Sequence, residues 1–183
     1  MKMQKHLLRA TIVGVALLLT SGAVWAADRD DGQRGQLSEK DFKFAKEAAQ
    51  GGQMEVQLGQ LAQQKGVDQS VKSFGERMVT DHKKANDELQ KIIAQKGATL
   101  PATMSHSEQS TLDKLQKENG ADFDKKYASA MVKDHKKDLK DFQDAAKDAQ
   151  DPDLKAFAEK TAAIIQGHLT AAEDMERAVK NEK

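Results

Sequence analysis

Residues 151–180 read DPDLKAFAEKTAAIIQGHLTAAEDMERAVK, and this stretch decides the fold. Asp151 stands where a helix N-cap belongs, and Pro152 takes the first helical position. From there the stripe Leu154, Ala158, Thr161, Ile165, His168, Ala172, Met175, Val179 advances in alternating steps of four and three. That near-3.5 spacing keeps one face turned toward a partner helix and specifies left-handed bundle packing. The helix is expected to run to about Lys180.

Three more stripes lie upstream. Val71, Gly75, Met78, His82, Ala85, Leu89 and Ile92 mark one helix, from a cap at Asp68 to about Lys96 and a stop at Gly97. Phe123, Tyr127, Met131, His135, Leu139 and Phe142 mark another, from about Asp122 to Ala149. The first stripe is small: Ala45, Ala48, Gly52, Glu55, Gly59 and Ala62, with Met54, Leu58 and Leu61 beside it. It begins at the N-cap Ser38 and ends near Lys65 and Gly66. Its small residues let a neighbouring backbone come close. No strand-like alternation appears. The expected fold is therefore all-α, a four-helix bundle over residues 38–183. Ser105-x-x-Glu108 is a capping box for a short extra helix in the connection between the second and third long helices, ending near Asn119 and Gly120. That connection, roughly residues 97–121, can span about 40 Å along the bundle. A crossover of this kind belongs to ferritin-like bundles rather than up-down ones.

The N-terminal segment reads differently. Lys2, Lys5 and Arg9 precede an apolar run from Ala10 to Leu19, and Val24-Trp25-Ala26 resembles a small-residue cleavage site. Residues 1–26 are expected to be a cleaved signal peptide and 27–37 a flexible segment, which places the protein in the periplasm. The run is too short for a stable membrane span. There are no cysteines, so disulfides and thiolate ligands are excluded and the core must supply the stability. Without the three basic residues of the first 26, 26 Lys+Arg face 29 Asp+Glu. A mildly acidic chain of interspersed charge argues against nucleic acid or an anionic membrane as partner. A homo-oligomer is allowed.

Each long stripe carries one polar residue with ligand chemistry: Glu55, His82, His135 and His168. Each sits near mid-helix, so all four are expected at one level. Two of the histidines lie in copies of one heptapeptide, Met78-Val79-Thr80-Asp81-His82-Lys83-Lys84 and Met131-Val132-Lys133-Asp134-His135-Lys136-Lys137. An aromatic stands eight residues before each, Phe74 and Tyr127. A core imidazole must find a hydrogen-bond partner or a metal. Two readings stand. In one, the histidines pair with Glu55, Asp138 or backbone groups and fix helix register. In the other, His82, His135, His168 and Glu55 hold zinc, copper or iron. Met78 and Met131 are softer ligand candidates for Cu(I), against their ordinary use as core filler. Asp81 and Asp134 lie one position off the stripe and are expected on the solvated edge; His106 is expected exposed in a loop.

No catalytic residue is assigned. A ferritin-type di-metal site needs Glu-x-x-His on two helices. Here the residues three before His82, His135 and His168 are Val79, Val132 and Ile165. That argues against oxidase chemistry. Nucleophile constellations and phosphate loops are absent.

Asp41-Phe42, Gly52-x-x-Glu55-Val56-x-Leu58-Gly59-x-Leu61-Ala62 and Val71-Lys72-x-Phe74 ahead of the first heptapeptide resemble the bacterial domain-of-unknown-function family 4142. So do Leu100-Pro101, Phe123-Asp124-x-x-Tyr127 ahead of the second, and Leu154-Lys155-x-Phe157-Ala158 with His168. The resemblance covers about residues 39–178. It implies an exported bacterial protein with a ferritin-like bundle and no assigned activity. Two functions remain open: metal binding through core histidines, or a non-metal envelope-stress or interaction module.

Overall fold

A computed structural model describes residues 32–181, so the expected signal peptide lies outside the described residues. Five helices follow in order: α1 (Glu39–Lys65), α2 (Gln69–Gln95), α3 (His106–Gln116), α4 (Gly120–Asp148) and α5 (Pro152–Asn181). The four long ones form the bundle and α3 is the short extra helix. No helix among them is long and apolar enough to cross a membrane.

The caps follow the sequence. Ser38 Oγ accepts from Asp41 N at 3.1 Å, and Asp68 Oδ1 accepts from Ser70 N at 2.6 Å. Ser105 and Glu108 close the capping box. Asp151 Oδ1 accepts from the backbone N–H groups of Asp153 and Leu154. The chain turns out of α2 at Gly97 with φ +66°, a conformation glycine reaches without a Cβ penalty. Two boundaries differ from expectation. Helix α3 stops at Gln116, and α4 begins at Gly120 rather than Asp122. His106 is exposed as expected but opens α3 instead of lying in a loop.

Two buried aspartates fix how the hairpins meet. Asp41, in the first turn of α1, accepts from Gln150 N and Asp151 N in the α4–α5 turn. Asp124, near the start of α4, accepts from Val67 N and Asp68 N in the α1–α2 turn. Each hairpin's first helix thus clamps the other's turn. Helix α1 therefore runs antiparallel to α4, and α2 runs parallel to it. The connection through α3 must cross the length of the bundle to make that possible. Within the first hairpin, Gly59 and Gly75 face each other, and a Cβ on either would press on the other's carbonyl oxygen. The close approach expected of the small stripe is made there.

All eight stripe residues of α5 are buried. In α2 the last stripe position shifts by one: Ile93 is buried and Ile92 only partly so. Residues 32–37, the described part of the segment expected to be flexible, are held against the α2–α3 connection. Gln33 N donates to Thr99 O at 2.9 Å, and the Leu37 side chain is buried.

The core has two apolar parts. One, toward the α1–α2 turn, contains Leu58, Phe74, Met78, Phe123, Tyr127, Met131 and Met175. The other, toward the α4–α5 turn, contains Ala45, Leu89, Ile93, Phe142, Leu154, Phe157 and Ile165. A layer of polar side chains lies between them.

Candidate metal centre

Glu55 on α1, His82 on α2, His135 on α4 and His168 on α5 make up this layer, each about 20–25 Å along its helix. Because all are near mid-length, up and down helices bring them to one height. All four are buried, His82 at 8% exposure and the rest at 1% or less.

The imidazoles converge. Ring centroids are 5.5 Å apart for His82–His168 and for His135–His168, and 6.1 Å for His82–His135. One ring nitrogen from each lies within 4.8 Å of the other two. Every ring has one nitrogen held and one that makes no hydrogen bond. His82 Nδ1 meets Glu55 Oε2 at 2.8 Å. His135 Nδ1 lies 2.9 Å from Met131 O, and His168 Nε2 lies 2.7 Å from Asp81 Oδ2. The nitrogens left over, His82 Nε2, His135 Nε2 and His168 Nδ1, are buried without hydrogen bonds.

Tautomers follow from the partners. A carbonyl only accepts, so His135 Nδ1 donates to Met131 O and its Nε2 presents a lone pair. The Asp81 carboxyl is held below its ordinary range, against its partial burial, by the bond to His168 and by Arg77. As a carboxylate it accepts from His168 Nε2, which leaves Nδ1 bare. When Glu55 is ionised, His82 Nδ1 donates to it and Nε2 is bare as well.

The sequence profile of a domain of unknown function, DUF4142, matches residues 26–175, most of the chain. The chain belongs to the DUF4142 family. No curated protein and no solved structure matches it.

Burial sets the charge state of the DUF4142 layer. It pushes His82 and His168 down to about 4 and also lowers His135, so all three imidazoles are neutral at pH 7. Neutral imidazole is the form that binds metal. Burial pushes Glu55 up to about 8, against the pull of His135. Asp134 is pushed to about 9 by burial, with Glu55 and Asp138 adding to the rise. Asp138 is raised too, chiefly by burial. The layer thus limits buried net charge by keeping Glu55 and Asp134 protonated, a state a dication would reverse.

Zinc–nitrogen bonds of about 2.0–2.1 Å put tetrahedral ligands roughly 3.4 Å apart. Ligand nitrogens within 4.8 Å of one another need to close by up to about 1.4 Å. Beside Glu55 and His82, a cavity of about 20 Å³ is also lined by Asn86, Asp138 and Thr161. It is large enough for one water or ion.

The sequence pattern puts Asp81 and Asp134 on the solvated edge, and the structure corrects this. The Asp81 side chain is one-third exposed but turns one oxygen to His168. Asp134 is only partly exposed, and its Oδ2 is buried without a partner. A residue next to a stripe histidine sits about 100° round the helix, close enough to reach a neighbour's layer. Asp138, proposed as a histidine partner, acts on His82 through its charge; Glu55 holds His82, and Asp81 makes the bond to His168. Met78 and Met131 are fully buried among the apolar residues. The link between Met131 and the layer is its carbonyl oxygen.

Proposed function

We propose that this protein is an exported, ferritin-like helical bundle of the periplasm that binds a transition-metal ion, zinc or copper, on His82, His135 and His168. One observation carries this reading: three buried imidazole nitrogens without hydrogen bonds, on rings whose other nitrogens are already held. Metal-ligating histidines use their second nitrogen in this way, on a carboxylate or a backbone carbonyl. Glu55, Met131 O and Asp81 take that orienting role. Three imidazoles suit zinc and copper and leave a fourth position for water or an exogenous ligand. We propose binding or buffering rather than catalysis, since no nucleophile, base and substrate cleft come together among the described residues.

A second reading is a non-metal envelope-stress or interaction module with structural histidines. It is favoured by the hydrogen bond each ring already makes. Calorimetry with zinc and copper on untagged protein separates the two. The expected result is a single ion per chain, with binding abolished in His82→Ala. A wild-type protein that takes up neither metal would overturn the metal reading and leave the structural one.

A further inference from the structure

The polar layer holds more unpartnered atoms than three imidazoles account for. Glu55 Oε1 and Asp134 Oδ2 are also buried without hydrogen bonds, on the side of the layer where His135 Nε2 stands. Glu55 Oε1 is 3.3 Å from His135 Nε2, and both side chains are 1% exposed. One ligand atom from each of Glu55, Asp134 and His135 lies within 4.8 Å of the other two. Three potential ligands, two of them almost wholly enclosed, therefore face one another with no protein group between them to satisfy them.

We infer that Glu55, Asp134 and His135 form a second position for a divalent cation, alternative to the three-imidazole position. It shares His135 with the proposed histidine site and rests on that reading for the competition between the two. Two arguments set its chemistry. First, two carboxylates and one imidazole make an oxygen-rich set, which suits harder ions such as Mn²⁺ better than a purely nitrogen set does. Second, two carboxylates neutralise a dication, whereas three neutral imidazoles leave its full charge in the core. His135 Nε2 has a single lone pair, so the two positions cannot both be complete at once.

The oxygen-rich position also has a route to solvent. A groove of about 820 Å³ runs between α1, α3 and α4, and Asp134, Asp138 and Met131 help to line it. Lysines on its walls are partly offset: Lys43 lies 3.9 Å from Glu47, and Lys137 lies 2.8 Å from Asp141. An ion reaches Asp134 along this groove without the long helices separating.

The test uses Mn²⁺ and Zn²⁺ on the untagged full chain, with circular dichroism melts to establish that each variant folds. Binding of Mn²⁺ is read by loss of its free-ion electron paramagnetic resonance signal. In Asp134→Asn, Mn²⁺ affinity is expected to fall by at least about tenfold while Zn²⁺ affinity stays close to wild type. In His168→Ala the pattern reverses. Zn²⁺ added to the Mn²⁺-loaded wild type should release Mn²⁺ ion for ion. Unchanged Mn²⁺ binding in Asp134→Asn, or Zn²⁺ joining Mn²⁺ without release, overturns the second position as stated. Wild-type protein that binds Zn²⁺ but not Mn²⁺ overturns this inference and leaves the histidine site standing. Mn²⁺ binding lost in Asp134→Asn, in a protein that ignores Zn²⁺, supports the oxygen-rich position and removes the three-histidine one.

Discussion

The two copies of the heptapeptide, residues 78–84 and 131–137, begin alike and end in different surroundings. In both, methionine and histidine are four residues apart and buried in the core. In both, the aromatic eight residues earlier packs in the same apolar cluster, Phe74 against Tyr127 with ring centroids 6.3 Å apart. The aspartates diverge. Asp81 on α2 is open to water on one side and binds His168, and its carboxyl is held low. Asp134 on α4 looks toward α1 and α3, is largely enclosed, and is pushed up to about 9. Glu108, on α3, is among the charges that raise it. Helix α3 crosses one copy and leaves the other uncovered. The heptapeptide fixes which face is buried, but the neighbouring helix decides what the flanking carboxylate does.

The likeness is tested first, because it carries the largest energy. Phe74 is 5% exposed and meets both Tyr127 and His135 edge-on. Phe74→Ala should cost about 3–5 kcal/mol of unfolding free energy in urea melts. A loss below about 1 kcal/mol would mean that the two aromatics do not share one packed cluster.

The pH dependence tests the difference. Unfolded, Glu55 and Asp134 ionise near 4.5 and 3.8; folded, they are pushed up to about 8 and about 9. Between those limits the folded state binds more protons. These groups therefore stabilise the fold at lower pH, and the benefit is lost as pH rises through the folded values. The histidines have an ordinary value of 6.5 and are lowered on folding, so above that pH they are neutral in both states. Metal-free protein should lose on the order of 2 kcal/mol or more between about pH 6.5 and 9. Asp134→Asn should remove part of that loss and Asp81→Asn none of it. An alkaline limb equally steep in wild type and Asp134→Asn would show that Asp134 is ionised in the fold. On the acid side the signs oppose. His82 and His168, lowered to about 4, lose stability as pH falls from 6.5 toward 4, while the carboxyls still favour the fold over most of that range.

The stripes were legible because burial of one helix face needs only local spacing. The steps of four and three in residues 154–179 give α5, and mid-helix positions give the common level of Glu55 and the three histidines. The length of the connection over roughly residues 97–121 points to a crossover, and the reciprocal clamps of Asp41 and Asp124 require one. What the spacing could not supply was lateral order. Nothing local says that α2 lies beside α5, where Asp81 finds His168, or that α3 covers Asp134. Glu-x-x-His spacing concerns only the residue three before each histidine, whereas Asp81 and Asp134 reach the layer from the position immediately before one.

A smaller effect separates the aspartates at neutral pH. Asp81→Asn replaces a carboxylate acceptor with an amide oxygen that still accepts from His168 Nε2. With Asp81 one-third exposed, the cost should stay at or below about 1 kcal/mol. Asp134→Asn swaps a protonated, unpartnered acid for a neutral amide and should cost no more in the metal-free protein. The nitrogen-15 shifts of His168 provide the check: Asp81→Asn should perturb them and Asp134→Asn should not. Perturbation by both would mean that the two copies act on one shared hydrogen-bond network.

The smallest expected effect makes the two copies more alike. Phe74 precedes His82 and Tyr127 precedes His135, so the copies differ there by one hydroxyl group. The Tyr127 hydroxyl is buried without a hydrogen-bond partner, and burial, with the charge of Glu55 adding to it, holds its ionisation above the ordinary tyrosine value. A buried hydroxyl with no partner carries a desolvation cost, and deleting it removes that cost while leaving the ring in place. Phe123 stacks on the ring at 5.7 Å and Phe74 meets it edge-on, so the cluster keeps its shape in the variant. Tyr127→Phe should therefore change metal-free stability by no more than about 0.5 kcal/mol, with any change in the stabilising direction. A loss above about 1 kcal/mol would mean that the hydroxyl has a partner in solution, such as an ordered water held with Glu55. Repeating the melt with Zn²⁺ then tells the two copies apart. A Tyr127→Phe variant stabilised by Zn²⁺ as much as wild type places the hydroxyl outside the metal's surroundings, and a smaller gain extends the second copy's role from Asp134 and His135 to Tyr127.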